Sequence, residues 1–165
     1  MGKISPFAPL GFGLALLVVV LDQLTKYWIL YGLKLREMPG GHLELSPIVD
    51  LTFVWNRGVS FGLFQADSQW SRLLLIGFAL AVVVFMVIWL LRADHKILGT
   101  ALGFIIGGAL GNLIDRIYYG KVVDFINFSD VHFVWVFNIA DAAINIGVFL
   151  ILLDAIFLEP RRNRV

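Results

Sequence analysis

Apolar residues dominate this chain in four long runs, and the polar residues fall between them or interrupt them at few places. Ile4–Leu21 carries no charge, Asp22 and Lys26 then intervene, and apolar sequence resumes to Leu33. Leu73–Leu91 and Ile97–Ile114 are also uncharged, whereas Phe137–Leu158 carries Asp141 near its start and Asp154 near its end. A helix rises about 1.5 Å per residue, so about 20 apolar residues cross the hydrocarbon of a bilayer. The pattern predicts an all-α polytopic membrane protein, a single membrane-embedded domain over 1–165 with spans at 8–32, 71–91, 97–118 and 137–158. The first run is longer than the apolar core of a secretory signal and no A-x-A-like site follows it, so it is read as a retained span.

Two segments between spans, 33–70 and 119–136, are left for non-helical structure. Val49–Trp55 is rich in β-branched and aromatic residues and is bounded by Pro47 and by Asn56-Arg57-Gly58, and Val59–Phe64 offers a second strand. A small β-sheet at the membrane surface is expected from them. Lys121–Val136 mixes Phe125, Phe128, Phe133 and Trp135 with Asp124, Asn127, Asp130 and His132, and reads as an interfacial strip. Gly99, Gly103, Gly107 and Gly111 recur every fourth residue, placing a smooth stripe on one helix face against which a neighbouring backbone can pack. A phosphate-cradling glycine loop would need a preceding strand and an exposed helix start, and neither is present.

Composition strengthens the membrane reading. The 165 residues are 59% hydrophobic and only 15% charged, against roughly 45–50% and about 25% in soluble domains. Mean hydropathy is +0.87. Lys+Arg number 13 and Asp+Glu 12, so no net field marks a nucleic-acid partner. Cysteine is absent, which excludes disulfides, thiolate metal sites and cysteine nucleophiles. Lysine and arginine are equally numerous on the two sides of a four-span layout, but on the side of the termini and the Arg92–Lys96 turn they crowd into far fewer residues. That density places both termini in the cytoplasm, with the segments 33–70 and 119–136 periplasmic. Trp28, Trp70 and Trp135 then lie near the outer interface and Trp89 near the inner one.

Ionisable residues within a span cost roughly 2.5–3.5 kcal/mol each at its centre by the lower scales, so each needs a partner or a task. Asp22 and Lys26, four apart, either neutralise one another or meet substrate. Asp154 reads as an interface residue near the Arg161–Arg164 tail. Asn112, Asp115 and Arg116 share one side of the third helix, and Asn138, Asp141 and Asn145 share one face of the fourth. Antiparallel neighbours bring these faces to one depth, and Asp124 in the joining segment can fold back toward Asp141. Nothing nearby makes a nucleophile triad, and His42, His95 and His132 fall in different segments, so no metal or other cofactor is expected. Two carboxylates about 3–5 Å apart share a proton; the ionised one can activate water while the protonated one protonates a scissile amide. The structural alternative is an Asp–Arg116 salt-bridge knot that merely joins two helices.

Five blocks carry a resemblance. Asp22-Gln23-Leu24-Thr25-Lys26, Asn56-Arg57-Gly58-Val59-Ser60-Phe61-Gly62, Gly107–Arg116, Val122-Val123-Asp124-Phe125 and Phe137-Asn138-Ile139-Ala140-Asp141 resemble, in order, the signature blocks of bacterial lipoprotein signal peptidase, the signal peptidase II family. The resemblance implies an intramembrane aspartic endopeptidase of the bacterial inner membrane that cuts diacylglyceryl-modified prolipoproteins before the lipidated cysteine. It implies that Asp124 and Asp141 are the catalytic pair. Asn56, Asn112, Arg116 and Asn138 would line the substrate site or hold the acids, with Asp22, Lys26, Gly58 and Asp115 supporting. Arg116 would bond substrate carbonyls or anchor Asp115, and the strip Lys121–Val136 with the sheet would close over the peptide. The lipid bilayer is the medium, globomycin the expected inhibitor, and a monomer the expected state. Two other functions compete on composition alone: a proton-coupled membrane transporter, which would carry acids at the midplane and paired broken helices, and a non-enzymatic lipid-binding subunit. A presenilin-type protease would carry Gly-x-Gly-Asp, which is absent.

Overall fold

The computed structural model describes residues 4–58, 69–128 and 133–158. Four helices are long and apolar enough to cross a membrane. Helix α1 (Ala8–Tyr27) begins with Pro9 in its first turn and continues into a π-helical turn, Trp28–Gly32. Helix α2 spans Gln69–Leu90, α3 Lys96–Tyr119 and α4 Ile139–Leu153, the last followed by a π-helical turn at Asp154–Leu158. The most buried of them is α3, whereas α2 is apolar all round and buries only Val83 and Leu90 among its side chains. A helix with no polar face and little protein contact is solvated by lipid.

The glycine stripe of α3 packs on α1. A Cβ at Gly99 would lie 2.9 Å from Phe7 Cβ, at Gly103 2.5 Å from Gly11 O, at Gly107 2.7 Å from Ala15 O and at Gly111 2.5 Å from Asp22 Oδ2. None of these positions has room for a side chain, so the two backbones approach closely along almost their whole length. On its other side α3 meets α4, where a Cβ at Gly108 would strike Ala140 O and one at Gly147 would lie 2.6 Å from Ala101 O.

At one end of the bundle lies a four-stranded antiparallel sheet in the order β1-β2-β3-β4, formed by β1 (His42–Glu44), β2 (Asp50–Asn56), β3 (Val122–Phe128) and β4 (Phe133–Phe137). The sequence anticipated β2 and a small sheet. It read Lys121–Val136 as an interfacial strip, and the described part of that strip is two strands. The strand expected at Val59–Phe64 lies outside the described residues. The registers Val54↔Asp124 and Asn56↔Val122 are joined to Leu51↔Ile126 through a bulge between Leu51 and Val54. Bulges twist a strand and re-aim its side chains, and this one is beside Asp124. One face of the sheet buries Leu51, Val123 and Phe125 against Ile29 and Leu35.

Gly120 ends α3 in the left-handed region (φ 76°), its N–H donating to Arg116 O at 3.1 Å. Arg72 of α2 reaches the same helix end, donating from Nε to Arg116 O at 3.1 Å and from Nη2 to Ile117 O at 2.6 Å. A cation on the last carbonyls at a helix C-terminus is favourable, and it fixes the point from which β3 departs. At the opposite end of the bundle His95 contacts Asp154 at 2.8 Å. Asp154 is therefore held by a histidine of the α2–α3 turn; the Arg161–Arg164 tail lies outside the described residues.

Candidate active site

Asp124 comes from the middle of β3 and Asp141 from the first turn of α4, and both line one cavity of about 390 Å3. Asn138 stands between them. Its side chain accepts from Asp141 N at 2.9 Å, while its own backbone N–H donates to Asp141 Oδ2 at 3.3 Å, a reciprocal cap at the start of α4. The Asn138 Nδ2 group donates to Asp124 Oδ1 at 2.7 Å. One fully buried asparagine thus touches both acids.

Each acid has a second amide partner. Asn56, at the end of β2, donates from Nδ2 to Asp124 Oδ2 at 3.0 Å, and its Oδ1 accepts the Gly58 N–H at 3.0 Å. That second bond fixes which way the Asn56 amide points, because an oxygen engaged by Gly58 leaves the nitrogen for Asp124. Asn112 of α3 donates from Nδ2 to Asp141 Oδ1 at 2.7 Å, and its Oδ1 accepts from Asn138 Nδ2 and from Lys26 Nζ. Burial raises the Asp124 carboxyl to about 7, with the Asp141 charge adding to the rise and the amides of Asn56 and Asn138 opposing it.

Behind the acids is an ionic core. Lys26 Nζ lies 2.8 Å from Asp22 Oδ2 and 2.9 Å from Asp115 Oδ2, all three side chains being almost fully buried. Asp22 and Lys26 do pair, and Asp115 joins the same ammonium. Asp22 Oδ1 accepts the Ala140 N–H at 3.0 Å, and Asp115 Oδ2 accepts the Val123 N–H at 3.0 Å. Ala140 immediately precedes Asp141 and Val123 immediately precedes Asp124. The triad therefore grips the backbone next to both acids and ties the two grips together through one lysine. Gln23, which the sequence reading did not single out, closes this core by donating to Asp115 Oδ1 at 3.0 Å and to Asp22 Oδ2 at 3.1 Å. Its place between Asp22 and Lys26 in the first signature block was the available signal. Arg72 was also missed, being one arginine near the start of an otherwise apolar run.

Arg116 sits in the combined field of Asp141, Asp124 and Asp115, and its Nη1 donates to Asn112 O at 3.4 Å. The buried ion pair of Asp115 is made with Lys26, so Arg116 is not what anchors Asp115. His42 Nδ1 meets Thr52 Oγ1 at 2.9 Å and His95 lies at the far end, while His132 is outside the described residues. Among the described residues no group of histidines and carboxylates is arranged to hold a metal ion. A second cavity, of about 420 Å3, opens between α1 and α3 beside Val20, Leu24 and Tyr27. Its carboxylate, Asp115, is already paired with Lys26.

Four membrane-crossing helices under a small sheet, with buried carboxylates at their junction, define a polytopic membrane enzyme. Two solved bacterial membrane enzymes share this fold, one with a TM-score of 0.80 at 26% identity, covering 100% of this chain and 97% of that one. The other has a TM-score of 0.78 at 29% identity over 96% and 99%. The family model described as signal peptidase (SPase) II matches residues 14–157. The lipoprotein signal peptidase of Caulobacter vibrioides is 50% identical over 93% of this chain and 90% of its own length, and that of Methylorubrum extorquens 45% identical over 88% and 85%. The chain belongs to the signal peptidase II family of peptidases.

Proposed function

We propose that this protein removes the signal peptide from diacylglyceryl-modified prolipoproteins, cutting before the lipidated cysteine, and that Asp124 and Asp141 are the catalytic pair. The observation carrying this reading is that two acids from separate elements open into one cavity while a single buried asparagine, Asn138, bonds both. The relatives named lipoprotein signal peptidase supply the substrate class. A proton-coupled transporter and a lipid-binding subunit draw no support from a peptidase family, and we set them aside.

Asp124 holds its proton below about pH 7, because burial and then the neighbouring Asp141 carboxylate favour its neutral form. Asp141 takes a proton from a water in the cavity as that water attacks the scissile carbonyl carbon. Asp124 gives its proton to the departing amide nitrogen, so the C–N bond breaks to a carboxylic acid, which loses its proton to solvent, and the free amine of the lipidated cysteine; a proton passing from Asp141 back to Asp124 restores the pair. Asn112 and Asn138 donate to Asp141 and keep its oxygens on the water's side. Arg116 stands near the acids with donors to spare for a substrate carbonyl. The apolar part of the signal peptide reaches the cavity through the bilayer, beside Phe137 and Ile144.

The same reading makes the protein a monomer of the bacterial inner membrane, with both termini cytoplasmic, the cavity at the periplasmic face and globomycin a competitor for it. The test is cleavage of a diacylglyceryl precursor peptide by the purified protein. Asp124→Asn and Asp141→Asn should each lose roughly 100- to 10,000-fold in kcat. Near-normal turnover by either folded variant would end the acid-pair mechanism.

A further inference from the structure

Asn145 stands four residues beyond Asp141 on α4, so it occupies the same helix face one turn, or about 6 Å, deeper in the hydrocarbon. It lines the cavity of Asp124 and Asp141, and its side chain is exposed. Asn56, Asn112 and Asn138 are all hydrogen-bonded within the protein. The Asn145 amide bonds nothing among the described residues. A primary amide in a lipid-embedded helix forfeits several kcal/mol in apolar surroundings unless a partner arrives, and an alanine or leucine would suit an empty membrane surface better.

We propose that Asn145 is a substrate-positioning residue, its Nδ2 donating to a main-chain carbonyl of the precursor about two residues to the N-terminal side of the scissile bond. The spacing follows from geometry. An extended chain advances about 3.3 Å per residue, so 6 Å below Asp141 is about two residues from the bond being cut. The direction follows from solubility. The apolar stretch of a signal peptide precedes the cleavage site, so the deeper contact falls on the N-terminal side. The need follows from hydrogen bonding, since a substrate helix that ends in the membrane leaves up to four carbonyls without donors. Asn145 supplies one where Phe137 and Ile144 cannot. This proposal rests on the function proposed above.

The experiment measures kcat and KM of the full-length protein on two lipidated precursor peptides, one with ester-linked and one with ether-linked chains. Asn145→Leu should raise KM about 3- to 10-fold on both peptides, the value of one net hydrogen bond. The kcat value and the thermal midpoint should hold within twofold and about 2 °C of the wild type. Asn145→Ser, which keeps a donor, should recover part of the loss. An unchanged KM overturns the proposal, as does a fall in kcat alone. A rise in KM confined to the ester-linked peptide would assign the contact to the lipid carbonyl and overturn it too. Failure of the wild-type protein to cut either peptide overturns the proposed function and this contact with it; a wild type that cuts beside an unaffected Asn145→Leu removes Asn145 alone.

Discussion

Asn138 donates its side-chain amide to Asp124 Oδ1 at 2.7 Å from the position that caps α4. The same residue thus ends the strand-to-helix connection and sets the place of a carboxylate on another element. Those two tasks separate by substitution. Asn138→Ala removes both and should cost about 1 kcal/mol of stability from the lost cap, together with at least a tenfold fall in kcat. Asn138→Ser retains a capping oxygen but is too short to reach Asp124. It should keep most of the thermal stability and none of the recovered rate, as read from paired melting and cleavage assays.

The raised carboxyl of Asp124 gives a pH dependence with a definite sign. Its native value, about 7, lies above the ordinary carboxylate range, so the unfolded chain ionises first. Stability contributed by the protonated form is complete at low pH and is lost as pH rises through about 7. Thermal melts of the wild-type protein should fall between about pH 4 and pH 7 and level off above it, and Asp124→Asn should flatten that slope. The basic limb of kcat/KM should lie near pH 7. Removing the Asn56 donor, which opposes the rise, should move that limb upward in Asn56→Ala.

Lys26 holds Asp22 and Asp115 together, and each of those holds the residue before an acid of the cavity. Removing one partner of a buried ionic group strands the others, at about 3–5 kcal/mol. Lys26→Met therefore leaves two buried carboxylates uncompensated and should lower the melting temperature steeply. A variant as stable as the wild type in detergent would show that the triad does not tie α1, β3 and α4 together.

Gly111 lies where α3 passes the ionic core. A Cβ there would stand 2.5 Å from Asp22 Oδ2 and 3.2 Å from Ala140 Cβ. Gly111→Ala should push Asp22 off the Ala140 N–H and lower both stability and turnover, whereas Gly77→Ala, on lipid-facing α2 with nothing within 4 Å, should leave both unchanged. Equal behaviour of the two variants would remove the steric argument.

The spans, the glycine stripe and the Asp22–Lys26 pair were legible in the sequence because each is local. Apolar runs, four-residue spacing and a shared helix face depend only on residues within a few turns. The acids were legible as well, since a carboxylate in so apolar a chain must have a partner or a task. Tertiary structure alone decided the rest. The described part of Lys121–Val136 became β3 and β4, with β3 pairing on its other side with β2 from about seventy residues earlier. Asp115 took Lys26 rather than Arg116 because α1 packs on the glycine face of α3 and brings the lysine to it. Asn138 came to touch both Asp124 and Asp141 because β3 folds back against the start of α4. Sequence spacing says which residues share a face; which faces meet is settled by close packing between elements that are remote along the chain.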